Sequence, residues 1–340
     1  MTSYIPPVEN GMHPMSTSNS PTAAKRHRLQ SVLSRPPLRV VFIGTNTPMS
    51  TSALMRVMLQ EEVVAVVESA PFRYQPSRLK RIRKELSEAR RLRYGQVFLS
   101  WLARYKQLPY LFYYPARQAE LYDLVERVQA DVICVVTMNS LLKPEVFNLP
   151  RLGAINVHPS LLPQYRGANP FFWQYYYMDL QGGVTVHQID AGMDTGAIFE
   201  QEELQIPLGM PLKQHLSACE NLTNTLLTRT LSNLRGGYAD PKSQPEGEAL
   251  VRAKKVKPGE VAIDWESWPL ERAWHLLRGF QGALGLLPPA GRFRRWQVGE
   301  MAAGERSRTP LGQLGRDRNG QFVQHAEGKI RLDVRWQMRP

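Results

Sequence analysis

Four short, nearly continuous apolar runs rich in β-branched residues constrain this chain more than any other feature. They are Leu38-Arg39-Val40-Val41-Phe42-Ile43-Gly44, Val63-Val64-Ala65-Val66-Val67, Asp131-Val132-Ile133-Cys134-Val135-Val136 and Ala154-Ile155-Asn156-Val157-His158. Strands covered on both faces read this way. Helical spacing separates them, at Ser52 to Leu59 and again at Leu121, Leu124, Val125 and Val128. Strands alternating with helices predict an α/β fold with a doubly wound, mostly parallel sheet, whose site lies beyond the carboxyl ends of the strands. That places the site near Gly44, Thr137 and His158. The first strand is followed by Gly44-Thr45-Asn46-Thr47-Pro48 and not by G-x-G-x-x-G, which argues against a dinucleotide cradle and a dehydrogenase.

The remaining chain divides around this unit. Residues 1–37 are rich in Ser, Thr, Pro, Met and Asn without apolar periodicity and read as a disordered extension. Residues 38–236 form the expected α/β domain, interrupted over 73–106 by eight Arg and three Lys against two Glu. There Leu79, Ile82, Leu86 and Ala89, then Phe98, Trp101, Leu102 and Tyr105, fall at helical spacing, so one or two basic amphipathic helices are expected. Their charge is read either as a solvated face or as an acceptor-binding or phosphate-binding surface. Residues 237–288 read as linker and helix. Residues 289–340, with turn signals around Asn319-Gly320, read as a short β-rich C-terminal domain.

Forty-three Lys plus Arg against 30 Asp plus Glu leave a formal charge of +13 on 340 residues, which favours acidic partners. No apolar run approaches the roughly 18 to 20 residues that span a bilayer, and no apolar signal segment is present, so the expectation is a cytoplasmic protein with no membrane partner. Cys134 and Cys219, the two cysteines, have no Cys-x-x-Cys spacing, and neither a disulfide framework nor a metal site is expected.

The chemistry concentrates in Asn156-Val157-His158-Pro159-Ser160-Leu161-Leu162-Pro163-Gln164-Tyr165-Arg166-Gly167 and in Asp190-Ala191-Gly192-Met193-Asp194-Thr195-Gly196. On a strand Asn156 and His158 share one face. An amide and a protonated imidazole can stabilise the oxygen that turns negative as an amine attacks a carbonyl. Asp194, if it lies beside His158, would raise the imidazole's pKa and take the amine's proton. A purely structural account also exists: Asn156 at a strand end, a satisfied core histidine, and an Asx-turn at Asp194. His187 is read as a strand-face histidine in preference to a metal ligand. Phe171 to Trp173 and Tyr175 to Tyr177 read as packing in preference to a base-stacking platform, and Arg166 reads either as an anion contact or as a loop salt bridge.

Asn156-x-His158-x-Ser160-Leu161-Leu162-Pro163, Arg166-Gly167 and Asp194-Thr195-Gly196 resemble the 10-formyltetrahydrofolate-dependent formyltransferase family over roughly residues 38–236. The resemblance implies a Rossmann-like fold in which Asn156, His158 and Asp194 are catalytic. It also implies 10-formyltetrahydrofolate as co-substrate, lined by Ser160, Leu161, Leu162 and Pro163, with Met138 to Leu142 and Asp190 to Asp194 holding the pterin. Arg166 is the expected acceptor contact. Methionyl-tRNA formyltransferase is the nearest named activity. Arg252 to Lys255 and Ile263-Asp264-Trp265 resemble the linker of the tRNA and amino-sugar enzymes. Glu68 to Arg73 and Pro159 depart from the tRNA pattern, and the segment Gly167 to Trp173 is more similar to small-amine enzymes, so an amino-sugar nucleotide or another phosphorylated small amine is the alternative acceptor. Hydrolysis of the folate's formyl group and RNA binding without catalysis are the remaining readings.

Overall fold

The computed structural model describes residues 34–71, 74, 77–92, 96–245, 251–280, 285–288, 290 and 294–336. The expected extension falls largely on residues 1–33, outside the described residues. Seven strands form the main sheet: β1 (Arg39–Gly44), β2 (Glu62–Ser69), β3 (Tyr110–Tyr113), β4 (Val132–Val136), β5 (Ala154–His158), β6 (Gln181–Gln188) and β7 (Ile198–Gln205), in the order β3-β2-β1-β4-β5-β6-β7. Pairing is parallel from β3 to β5 and antiparallel for β5–β6 and β6–β7. The doubly wound, mostly parallel expectation is therefore met, with an antiparallel edge that includes Gly182 and Gly183.

Alternation along the strands builds two cores. Val40, Phe42, Val132, Cys134, Ile155 and Val157 face one layer with α1 (Pro48–Met58) and α7 (Leu212–Gly236). Val41, Ile43, Ile133 and Val135 face the other with α4 (Gln118–Arg127) and α5 (Pro144–Phe147). Burial on both faces explains why these runs contain almost no polar residue.

The basic insertion forms α2 (Arg78–Leu92) and α3 (Leu99–Tyr105). Lys84 reaches Glu68 at 3.1 Å and Glu88 at 2.5 Å, and Ser100 donates to Glu88. These polar contacts fasten α2 beside the end of β2, while Leu79 and Leu86 are 68% and 66% exposed. The helices are thus those the periodicity predicts, but on α2 the apolar stripe faces away from the sheet.

A third core joins α6 (Pro170–Tyr177), α8 (Leu270–Phe280) and an antiparallel sheet of β8 (Arg294–Ala303), β9 (Leu314–Asp317), β10 (Gly320–His325) and β11 (Gly328–Trp336), ordered β8-β11-β10-β9. The aromatic residues of α6 are packing residues: Phe172 meets Phe280 edge-on at 5.3 Å and Tyr175 stacks on His275 at 4.5 Å. His215 and His275 are fully buried, and burial pushes each down to about 4, His215 also through the charge His275 would carry. In the window between the ordinary histidine pKa and 4 the unfolded chain binds the extra protons. Stability is therefore complete above about pH 6.5 and is lost as the pH falls through 4, by up to roughly 3 kcal/mol for each histidine. A urea midpoint that drops between pH 7 and pH 4.5 checks this, as does a smaller drop in His275→Gln.

Candidate functional site

The carboxyl ends of β1, β4 and β5 lie side by side, with Gly44 opposite Val136 and Val136 opposite Val157. There Thr45 and Thr137 share a hydroxyl contact of 2.5 Å, and Ser50 at the start of α1 donates to the Val136 carbonyl at 2.7 Å. β5 turns Asn156 and His158 to the same side, while Ile155 and Val157 enter the core beneath.

Beyond His158 the chain runs through Pro159 and the cis Leu162-Pro163 bond to Tyr165, whose φ is +59°. The Tyr165 carbonyl lies 2.9 Å from His158 Nε2. A carbonyl only accepts, so Nε2 carries the hydrogen and Nδ1 is directed toward Asp194, 3.6 Å from Oδ2. His187 is similarly fixed. Its Nδ1 donates to the Gln188 carbonyl at 2.7 Å, leaving Nε2 to accept from Asn156 Nδ2 at 3.1 Å and to approach Asp194 Oδ1 at 3.6 Å. Asn156 and Asp194 are 3.5 Å apart. The three residues predicted from the sequence therefore converge, with His187 as a fourth member.

His187 escapes a reading along the chain because its place depends on strand register: antiparallel pairing of β5 with β6 sets it directly opposite Asn156. Period-2 alternation marks it as strand-facing, which is correct, but says nothing of its partner.

Electrostatics corrects one expectation. Burial lowers the pKa of His158 and outweighs the charge of Asp194, so the resting imidazole is neutral and not protonated. At Asp194 burial acts against ionisation, but the two histidines, through the charge each ring carries when protonated, and the Gly167 amide hold the carboxyl below its usual value. The Gly167 amide donates to Oδ2 at 2.9 Å. Asp194 itself sits at φ +55° and Thr137 at +60°. A non-glycine residue in that region costs on the order of 1–3 kcal/mol and persists where the surroundings impose it.

Gly167 has φ +124°, and a Cβ there would stand 2.7 Å from the Ala253 carbonyl. Gly167→Ala is expected to cost roughly 1–3 kcal/mol through overpacking and to displace the amide that holds Asp194. A denaturant midpoint equal to wild type would contradict this.

A cleft of about 850 Å³ lies on the other side of the Asp194 loop, lined by Phe147 and Asn148 of α5, Arg166, Ile189, Asp190, Thr195 and Gln244 among others. Asn156, His158 and Asp194 do not line it; the loop carrying Asp194 forms one wall. Of the residues expected at the folate, Asp190 lines the cleft and accepts from Gly192 and Thr195. Ser160 is buried with its hydroxyl on the Gln164 carbonyl. Leu162 is also buried, bonded to Thr185 and Gln201. Leu161 and Pro163 are half-exposed, Met138 is half-buried, and Leu142 packs into the α4–α5 core. Arg166 donates to Gln244 Oε1 from Nε at 3.0 Å and Nη2 at 2.5 Å. Among the described residues no group of three or more His, Cys, Asp and Glu side chains could hold a metal ion, and no helix is long and apolar enough to cross a membrane.

A family model described as formyl transferase matches residues 38–229. Methionyl-tRNA formyltransferase of Ralstonia nicotianae is 30% identical over 226 residues, 64% of this chain and 67% of that protein. The enzyme of the same name from Synechocystis is 39% identical over 163 residues, 47% of this chain and 48% of its own length. The chain thus spans about half to two thirds of these relatives. In fold it resembles an N-formyltransferase of Helicobacter canadensis, solved with folinic acid and dTDP-3-aminofucose. That match has a TM-score of 0.60 at 14% identity and covers 88% of this chain and 99% of that one. The sugar 3N-formyltransferase WlaRD gives a TM-score of 0.62 at 12% identity, covering 89% and 99%. Matched over more than half its length, the chain belongs to the formyl transferase family.

Proposed function

We propose that this enzyme moves a formyl group from N10 of 10-formyltetrahydrofolate to the primary amine of methionyl-tRNA. The observation that carries the chemistry is the approach of Asn156 and His158 to Asp194, at 3.5 and 3.6 Å, at the rim of the parallel sheet. Asn156 gives one amide hydrogen to His187, and the other, which rests at a long 3.5 Å from Asp194 Oδ1, is the donor offered to the formyl oxygen, where charge develops; a donor so placed contributes roughly 3 kcal/mol. The neutral His158 takes the amine's proton on Nδ1. The resulting imidazolium is held by the Asp194 carboxylate and the Tyr165 carbonyl, and returns the proton to N10 as the C–N10 bond breaks. One proton leaves the amine and one reaches N10. Asp194 stays ionised throughout. The wall residues Asp190 and Thr195 offer the cleft beside this centre as the seat of the folate's ring system; Ser160 to Pro163 are assigned to the folate and Arg166, on the same cleft, to the acceptor by the family resemblance.

The tRNA acceptor is supported by the similarity to methionyl-tRNA formyltransferases and by exposed Lys80, Arg83, Arg90 and Arg91 on α2, a basic surface beside the carboxyl end of β2 that suits a phosphate backbone. A small phosphorylated amine is the second reading, favoured by Pro159 after His158 and by the Gly167 to Trp173 segment. Assay of methionyl initiator tRNA beside a panel of amino-sugar nucleotides, each with 10-formyltetrahydrofolate, separates the two. Reaction of a sugar amine without reaction of tRNA overturns the acceptor assignment.

A further inference from the structure

Gln244 lies beyond residues 38–229, where the family model matches, on the segment that follows α7. That segment is pinned to β7 by reciprocal backbone hydrogen bonds between Ile198 and Lys242, of 2.7 and 2.9 Å. The Gln244 carboxamide is used completely. Nε2 donates to the Asp194 carbonyl at 2.9 Å and the Gly196 carbonyl at 2.7 Å, and Oε1 accepts both contacts from Arg166. The two carbonyls bracket the turn in which Asp194 adopts φ +55°, a conformation a side-chain-bearing residue leaves unless it is held.

We infer that Gln244 is a positioning residue for formyl transfer: it clasps the left-handed Asp194 turn from the cleft side and so keeps the carboxylate between His158 and His187. The inference rests on the proposed role of Asp194. A carboxamide suits the task because it alone presents two donors to the carbonyls and an acceptor to the guanidinium at the same place. Glutamate would keep the bond to Arg166 but set a carboxylate oxygen against two carbonyl oxygens. Leucine would fill the space and bond to neither.

The test compares Gln244→Glu and Gln244→Leu with wild type by steady-state transfer and by amide hydrogen exchange. A misplacement of about 1 Å at a reacting group can cost on the order of a hundredfold in rate. Both variants are expected to lose roughly tenfold to a hundredfold in kcat with acceptor KM within about threefold. Amides of Met193 to Ala197 should exchange at least about tenfold faster, with the rest of the sheet unchanged. Wild-type kcat in Gln244→Glu would show that filling space or holding Arg166 suffices, and overturns the inference; so does unchanged exchange in the turn. A wild-type protein that formylates no acceptor would refute the functional reading, while the exchange data would still decide the clasp.

Discussion

Alanine at Asn156, His158 or Asp194 is expected to lower kcat by roughly two to three orders of magnitude in each case, with a smaller effect on folate binding. The three losses differ in origin. Asn156→Ala removes the amide that meets the developing oxyanion and leaves His187 Nε2 without its donor. His158→Ala removes the proton carrier between amine and N10. Asp194→Ala strips the imidazolium of its counter-charge and frees the Gly167 amide. Because they act as one unit, a double variant should be little worse than the worst single one. The wild-type rate should fall on the acid side as His158 becomes protonated, and burial puts that limb below the ordinary histidine range. Near-wild-type turnover in all three single variants would remove the site assignment.

Tyr175→Ala is expected to destabilise the protein by about 3–5 kcal/mol, the range for truncating a large buried aromatic. Tyr175 is fully buried on α6, stacks on His275 of α8, approaches His215 of α7 at 5.8 Å and donates its hydroxyl to the Met210 carbonyl at 2.8 Å. One side chain thus joins the helix behind the site loop to the layer that carries the second sheet. Tyr175→Phe keeps the ring and loses only the hydroxyl bond, a cost nearer 1 kcal/mol. Urea denaturation of the two variants should separate them by several kcal/mol; equal midpoints would show that the ring's packing contributes little.

The parallel half of the fold was legible because strands covered on both faces tolerate few polar residues, and β1, β2, β4 and β5 carry that composition. The antiparallel edge was less so. β6 was read as a strand only around His187, its start being obscured by Gly182 and Gly183, and β7, Ile198–Gln205, is largely exposed with four Glu or Gln residues in the run Glu200 to Glu203, so it does not read as a buried strand. α7 was not anticipated, since its buried stripe is diluted by Thr223 and Thr230. In the site, strand phase put Asn156 and His158 on one face, while the assignment of all three residues, Asp194 included, came from the family resemblance of their motifs. What the sequence could not convey were quantities set by register and burial: the pairing that brings His187 to Asn156, the neutral state of His158, and the return of Gln244 from beyond α7.

The central claim is direct passage of the formyl carbon to an amine at Asn156, His158 and Asp194. Incubation of wild-type enzyme and Asn156→Ala with 10-formyltetrahydrofolate labelled in the formyl group and with methionyl-tRNA tests it most directly. The account predicts label on the acceptor amine in equal amount to the tetrahydrofolate released by wild type, and at least about a hundredfold slower appearance of both with Asn156→Ala. Labelled formate accumulating beside unmodified acceptors, from the tRNA to the sugar amines, would contradict it.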